Sequence, residues 1–142
     1  MNVEQALQIL KEEGYKYTGK REEIIRIFAV EKRYLSAREI LQKMQKEYPA
    51  LSFDTIYRNL TLFADLKILE TTELGGERKY RFQCSKHGHH HHHLICLSCG
   101  KTRKVPTCPF EEVFNELPDF TITGHKFEIY GYCKECNQET HS

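Results

Sequence analysis

Two pairs of cysteines are the feature that most constrains the fold of this chain. Both have Cys-x-x-Cys spacing: Cys96 with Cys99, and Cys133 with Cys136. Each pair can place two thiolates on one tight turn, and together they supply the four ligands of a closed structural zinc site. Disulfides or a redox dithiol are the alternatives, but a redox Cys-x-x-Cys normally occurs singly on a βαβ fold. We therefore expect a structural zinc, with a small α/β domain between the pairs.

The chain is 142 residues long, which allows one ordinary domain or two small ones. All six cysteines and all eight histidines lie between Cys84 and Ser142. Domains of about 60 to 80 residues bury too little surface to be stable alone, so a metal or a partner subunit is expected. We predict a DNA-binding domain over residues 1–83, a hinge over 84–88, and a dimerisation and metal-binding domain over 89–142.

The first half of the chain has the pattern of several helices followed by a β-hairpin. Thr18, Ser36 and Ser52 each stand where a hydroxyl can cap the start of an amphipathic helix. Gly75-Gly76 is a hairpin turn between two strand-like segments. This order predicts a winged helix-turn-helix, and with the domain that follows it an α+β fold.

The second half alternates short strands with one helix. The patterns predict a strand over His89–Ile95, a short strand over Thr102–Val105, a helix over Pro109–Leu117, and one or two strands over Phe120–Tyr130.

The predicted helix that Ser52 begins has side chains suited to DNA in its first turns. It would present polar groups for phosphates and an arginine for base edges, as a recognition helix does in the major groove. The candidates are Ser52, Thr55, Tyr57, Arg58 and Asn59. An ordinary solvated helix face has similar residues, and the net charge of +1 gives no support for nucleic acid by itself.

Five consecutive histidines occupy positions 89 to 93. In a strand, His91 and His93 would project from one face, while His90 and His92 would project from the other. One strand could therefore serve two metal sites. Glu70 and Cys84 could complete the first site, and Glu111 and His125 the second. A polar surface strand or nonspecific metal scavenging is the alternative, and we assign Cys108 no partner.

The remaining composition excludes other classes of protein. No apolar run approaches the length of a membrane span. The amino-terminal residues lack the features of a secretory signal, so we expect reduced cysteines and a cytoplasmic location.

Taken together, the motifs resemble the ferric uptake regulator superfamily over essentially the whole chain. They are S-F-D-T-I-Y-R-N-L at 52–60, H-H-L-I-C-L-S-C-G at 92–100, G-H-K-F-E-I-Y-G at 124–131 and C-K-E-C at 133–136. The resemblance implies a homodimer with winged-helix domains that represses transcription at inverted repeats in double-stranded operator DNA when metal is bound. It implies no enzyme activity and no small-molecule substrate.

Within this superfamily the chain resembles the zinc uptake regulators most. Iron and peroxide sensors have a histidine before the third helix, where this chain has Lys32, Arg33, Tyr34 and Leu35. The resemblance implies two ligand sets beside the four-cysteine site, and therefore up to three Zn²⁺ per chain. The sensor site is Glu70, Cys84, His91 and His93, and the second regulatory site is His90, His92, Glu111 and His125.

The expected function is repression of zinc uptake genes, released when zinc is scarce. A metal held by ligands from both predicted domains would fix the angle between them. The alternatives are an iron or peroxide sensor of the same superfamily, a zinc hydrolase and a zinc-storage protein. A hydrolase is disfavoured because the sequence has no His-Glu-x-x-His motif.

Overall fold

The fold is given by a computed structural model, which describes residues 1–83, 92–105, 108 and 116–141. The chain groups into two compact units, Met1–His87 and Gly88–Ser142. We call them the first unit and the second unit.

Over residues 1–83, the first unit consists of four helices and a small sheet. The elements are α1 (Val3–Glu12), α2 (Gly19–Glu31), β1 (Leu35–Ser36), α3 (Ala37–Gln45), α4 (Phe53–Asp65), β2 (Leu69–Leu74) and β3 (Glu77–Phe82). The sheet is antiparallel with strand order β1-β3-β2. Helices followed by this hairpin are the arrangement expected of a winged helix-turn-helix.

Local sequence signals account for where these elements begin. The hydroxyls of Thr18, Ser36 and Ser52 each accept a hydrogen bond from the backbone N–H three residues later, as predicted. The hairpin turns at Gly75 and Gly76, whose φ angles of 60° and 78° lie in the region that glycine favours.

One hydrophobic core holds the first unit together. Helix α2 contributes Ile25 and Phe28, helix α4 contributes Leu60 and Phe63, and all four are 0% exposed. Fully burying a side chain of this size stabilises the fold by about 1.5–3 kcal/mol. The apolar stripe of α4, formed by Ile56, Leu60 and Phe63, faces this core.

The second unit contains a three-stranded sheet and a carboxy-terminal helix. The elements are β4 (His92–Cys96), β5 (Thr102–Val105), β6 (Glu128–Gly131) and α5 (Lys134–His141). The strand order is β5-β4-β6, with β4 antiparallel to β5 and parallel to β6.

The predictions for this unit were right in part. The strand over Thr102–Val105 is confirmed, while the predicted helix over 109–117 lies mostly outside the described residues. The strand predicted over Phe120–Tyr130 was wrong for most of its length, since only its end is in β6. Phe120 and Ile122 are 76% and 38% exposed, so apolar character there does not reflect a buried strand.

Within the described part of the chain, no helix is long and apolar enough to cross a membrane.

Candidate metal centres

The four cysteines of the two Cys-x-x-Cys pairs meet at one end of the second unit's sheet. Cys96 ends β4, and Cys133 stands directly before α5. Because β4 and β6 are parallel and Cys96 is paired with Gly131, the turn after β4 and the segment after β6 leave the sheet side by side. The sheet register therefore brings together pairs that are far apart in sequence.

The geometry of this cluster fits a tetrahedral metal ion. All four sulfurs lie within 4.8 Å of one another, and Cys99 Sγ is 3.8 Å from Cys133 Sγ. A tetrahedral zinc with Zn–S bonds of about 2.3 Å requires sulfurs about 3.8 Å apart. Four thiolates fill such a coordination sphere, which leaves no open position for catalysis.

The backbone prepares one of these thiols for ionisation. Burial opposes the charged form of Cys96, but the N–H groups of Cys99 and Cys133 donate to its sulfur at 3.5 Å and 3.4 Å. These bonds lower the pKa of Cys96 to about 6, whereas burial raises the pKa of Cys99. A bound cation would supply the charge that keeps the remaining thiols deprotonated.

A second cluster joins two predicted ligands to a residue that the sequence did not single out. His92 Nε2 lies 3.0 Å from His125 Nε2, and Cys108 Sγ lies 3.3 Å from the same His125 nitrogen. All three ligand atoms are within 4.8 Å of one another. The prediction that Cys108 has no partner was therefore wrong, because its neighbours come from positions 16 and 17 residues away.

The other predicted metal ligands are less fully described. Glu70 lies in β2 of the first unit, where its Oε1 accepts a hydrogen bond from Arg81 Nη1 at 3.0 Å. His93 lies in β4 of the second unit and is 6% exposed. The remaining four lie outside the described residues: Cys84, His90, His91 and Glu111.

On the first unit, helix α4 exposes part of the predicted DNA-binding set. Arg58 is 79% exposed at the side chain and forms an ion pair with Asp54 one turn earlier. Tyr57 is 44% exposed and stacks on Phe53, with ring centroids 6.2 Å apart. An exposed arginine beside an exposed aromatic ring is a combination suited to phosphate or base contacts.

Asn59, another of the predicted DNA-binding residues, makes contacts within the first unit. Its side chain is half-buried, accepts a hydrogen bond from Arg21 Nε at 3.1 Å and donates to the carbonyl of Thr55 at 3.0 Å. It therefore connects α4 to α2. Ser52 and Thr55 are also used within the helix, since the Ser52 hydroxyl accepts from the Thr55 N–H and their hydroxyl oxygens are 3.0 Å apart.

Two arginines near α4 were not predicted. Arg38 of α3 and Arg78 of β3 line the same cleft as Phe53 and Tyr57. They come from separate elements, so no single segment of the sequence indicates them.

Comparison with known proteins identifies the family to which the chain belongs. The model of the ferric uptake regulator family matches residues 12–130. The chain belongs to the ferric uptake regulator family. Members of this family are transcription regulators and not enzymes, as the sequence predicted.

Individual members of the family resemble the chain along its whole length. A ferric uptake regulation protein of Staphylococcus epidermidis is 50% identical over 139 residues, which are 98% of this chain and 99% of that protein. The structure of the Helicobacter pylori ferric uptake regulator Fur, described as having three functional metal binding sites, matches with a TM-score of 0.74 at 26% identity. The match covers 100% of this chain and 97% of that one.

A zinc uptake regulator complexed with zinc and DNA has the same fold. Its TM-score is 0.72 at 20% identity, covering 96% of this chain and 93% of the other. The predicted family and the α+β fold with a cluster of four cysteines are thus confirmed. The chain is a metal-binding transcriptional regulator of the ferric uptake regulator family.

Proposed function

We propose that this chain is a zinc-responsive repressor, which binds an inverted-repeat operator as a zinc-loaded dimer and releases it when zinc is scarce. The observation that supports zinc most directly is the donor chemistry of the second unit. Both of its described clusters contain cysteine sulfur, and one of them adds histidine nitrogen. Thiolate and imidazole ligands suit zinc, whereas Mn²⁺ and Mg²⁺ favour oxygen, so the donors argue against those two ions; the choice of zinc over iron rests on the resemblance.

The regulatory ligands that we propose are those implied by the family resemblance. The sensor site comprises Glu70, Cys84, His91 and His93, and the second site comprises His90, His92, Glu111 and His125. The 3.0 Å separation of His92 Nε2 and His125 Nε2 supports the second set. Two nitrogens on a tetrahedral zinc are about 3.3 Å apart when each bond is about 2.05 Å.

The DNA contacts are proposed for the exposed turns of α4. Arg58 would exchange its partner Asp54 for a phosphate or a guanine, and Tyr57 would lie beside it. Arg38 and Arg78 line the cleft next to Tyr57 together with Glu77, so two of its three charged residues are positive. Ser52, Thr55 and Asn59 would act mainly by fixing the start and the orientation of the helix.

A second copy of the chain is the proposed partner of the second unit. Leu94 and Ile129 are paired across β4 and β6, and they are 38% and 42% exposed. Tyr130 and Tyr132 follow in the same segment and are 49% and 43% exposed. Apolar surface in the middle of a sheet is typical of a protein interface, and a palindromic operator requires two-fold symmetry.

Zinc binding provides enough free energy for such a switch. Changing a two-state equilibrium from 1:99 to 99:1 requires about 5.5 kcal/mol of differential binding. Apparent binding free energies of structural zinc sites are about 10–16 kcal/mol. A regulatory site therefore needs only part of the binding free energy that a structural zinc site provides.

An iron-responsive regulator is the second candidate. The Staphylococcus epidermidis relative is 50% identical and carries the name of a ferric uptake regulation protein. Against it, the segment before α3 contains Lys32, Arg33, Tyr34 and Leu35, without the histidine that the iron and peroxide branches have there.

The test is DNA binding to a family-type inverted repeat at buffered concentrations of Zn²⁺, Fe²⁺ and Mn²⁺. The full-length chain, with its four-cysteine site loaded, is compared with Cys84→Ser. We expect trace zinc to activate the wild type and the substitution to remove that activation.

Arg58→Ala in the zinc-loaded protein separates metal binding from DNA binding. We expect it to weaken binding to the operator while zinc stoichiometry stays unchanged. Activation by iron or manganese, with Cys84→Ser unimpaired, would contradict the zinc proposal and favour the second candidate.

A further inference from the structure

Cys108 lies against the two histidines of the proposed second site, although neither its spacing nor its surroundings in sequence indicate a ligand. The sulfur is 3.3 Å from His125 Nε2, and that nitrogen is 3.0 Å from His92 Nε2. Three potential ligand atoms from three separate segments thus converge on one point.

The two separations at His125 are close to those of ligands on one tetrahedral metal ion, and the third pair, His92 Nε2 and Cys108 Sγ, lies within 4.8 Å. Zn–N bonds of about 2.05 Å and a Zn–S bond of about 2.3 Å place tetrahedral nitrogen and sulfur ligands about 3.3–3.6 Å apart. The two observed separations are within about 0.3 Å of those values. A small movement of the side chains would complete the coordination.

The fold holds this cluster in place from two sides. His92 is 6% exposed, and its ring packs edge-on against Phe127 with centroids 5.3 Å apart. His92 is also paired with Val105, the last residue of β5. The chain that leaves β5 therefore starts beside His92, and Cys108 is three residues further on.

We propose that Cys108 is a protein ligand of this second metal site, which makes it a mixed site of two imidazoles and one thiolate. The inference rests on the second site proposed above and adds to it a sulfur ligand. A thiolate raises affinity for zinc and other soft or borderline ions much more than affinity for manganese. Cys108 would thus set the metal preference of the site.

Cobalt(II) absorption provides the direct test, because a thiolate ligand on cobalt produces a charge-transfer band. The protein is the full-length chain with Cys84→Ser, its four-cysteine site filled with zinc and verified at one zinc per chain throughout the titration. Cys108 is then the remaining thiol outside that site. We expect cobalt to produce the band, and we expect Cys108→Ser in this background to abolish it while cobalt still binds.

Metal selectivity is the second readout. Removing a group that only orients a ligand typically lowers affinity about 10–100-fold. We expect Cys108→Ser to lower zinc affinity at the second site at least as much, and to leave manganese affinity nearly unchanged. Replacing a residue that only packs against the site would change the affinities for zinc and for manganese by similar factors.

The substitution His125→Ala distinguishes failure of this inference from failure of the second site. If His125→Ala abolishes cobalt binding at the second site but Cys108→Ser leaves the spectrum and the affinity unchanged, the site stands and Cys108 is not its ligand. If His125→Ala also leaves metal stoichiometry and affinity unchanged, the second site itself is wrong. Cys108 is partly exposed, so we expect its replacement by serine to leave the fold intact for this comparison.

Discussion

The two units of this chain are stabilised by different means. In the first unit, four helices and a hairpin enclose a continuous core that contains Phe28, Phe63 and Tyr80. Among the described residues of the second unit, the buried apolar positions are Ile95, Cys96 and Cys136, two of which are candidate metal ligands. Over the described residues, the first unit thus has a large apolar core, whereas the second has few buried apolar side chains and two clusters that could hold metal.

This difference has a functional consequence. A unit whose core is hydrophobic keeps its shape whatever the metal supply, which suits a surface that must fit DNA. Metal that binds only the folded second unit would stabilise that unit, and the hydrophobic core of the first unit would not respond in this way. Substitutions in each unit can measure whether apolar burial stabilises the first unit and metal binding stabilises the second.

The largest effect is expected from loss of the four-cysteine site. Cys96→Ser should unfold the second unit and leave α1 to β3 folded. Metal binding at a structural zinc site contributes about 10–16 kcal/mol, which is as large as the whole unfolding free energy of a typical domain, about 5–15 kcal/mol. Hydrogen exchange reports both units at once, through the amides of β4 and those of α2. Amide protection of β4 that survives in Cys96→Ser would show that the second unit does not depend on the four-cysteine site.

The second effect concerns the hydrophobic core. Phe28→Ala should destabilise the first unit by about 3–5 kcal/mol, because the ring is 0% exposed and its removal leaves a cavity. Val30→Ala on the same helix is the control; Val30 is 80% exposed, and the expected change is within about 0.5 kcal/mol. Urea denaturation monitored at α2 measures both, and equal effects would show that this core is not what stabilises the unit.

The sequence predicted the first unit well for a physical reason. Its helices begin at caps such as Ser36 and bury stripes such as Ile56 and Leu60, so local and tertiary preferences agree. Asn59 is the exception on α4, because its contact with Arg21 joins residues 38 positions apart.

The second unit was harder to predict because its contacts are made by single residues far apart in sequence. The Cys-x-x-Cys pairs could be recognised by spacing alone. The proximity of Cys108 to His125 depends on where β5 ends and on the conformation around residue 125, and no periodic pattern encodes either. Phe120 and Ile122 have the apolar alternation typical of a strand, but they are exposed and lie outside any strand.

A smaller effect is expected at the cap of α2. The Thr18 hydroxyl accepts a hydrogen bond from Arg21 N at 3.1 Å, and Thr18→Ala should destabilise the first unit by about 0.5–2 kcal/mol. Thr18→Ser keeps the hydroxyl and should behave like the wild type. Thermal unfolding at saturating zinc measures the change, and a shift in zinc affinity of the four-cysteine site would show that the units are not independent.

The smallest effect concerns Glu31, which ends α2 where a negative charge faces the negative end of the helix dipole. Lys43 of α3 donates to one carboxylate oxygen at 2.9 Å, and Arg33 donates to the other at 2.9 Å. The hydrogen bond from Lys43 is the main reason that the pKa of Glu31 is lowered. Because these side chains are partly exposed, Glu31→Gln should destabilise the first unit by only about 0.2–1 kcal/mol near neutral pH.

The pH dependence of this difference separates the two units. A lowered pKa in the folded state means that the contribution of Glu31 is present above the unfolded pKa of about 4.3 and is lost as pH falls through the folded value. The stabilities of the first unit in the wild type and in Glu31→Gln should therefore become equal in acid. Acid also releases metal by protonating its ligands, so total unfolding would mix both effects. Hydrogen exchange in α2 and α3 isolates the first unit, and a difference that persists unchanged in acid would mean that Glu31 acts through packing rather than through its charge.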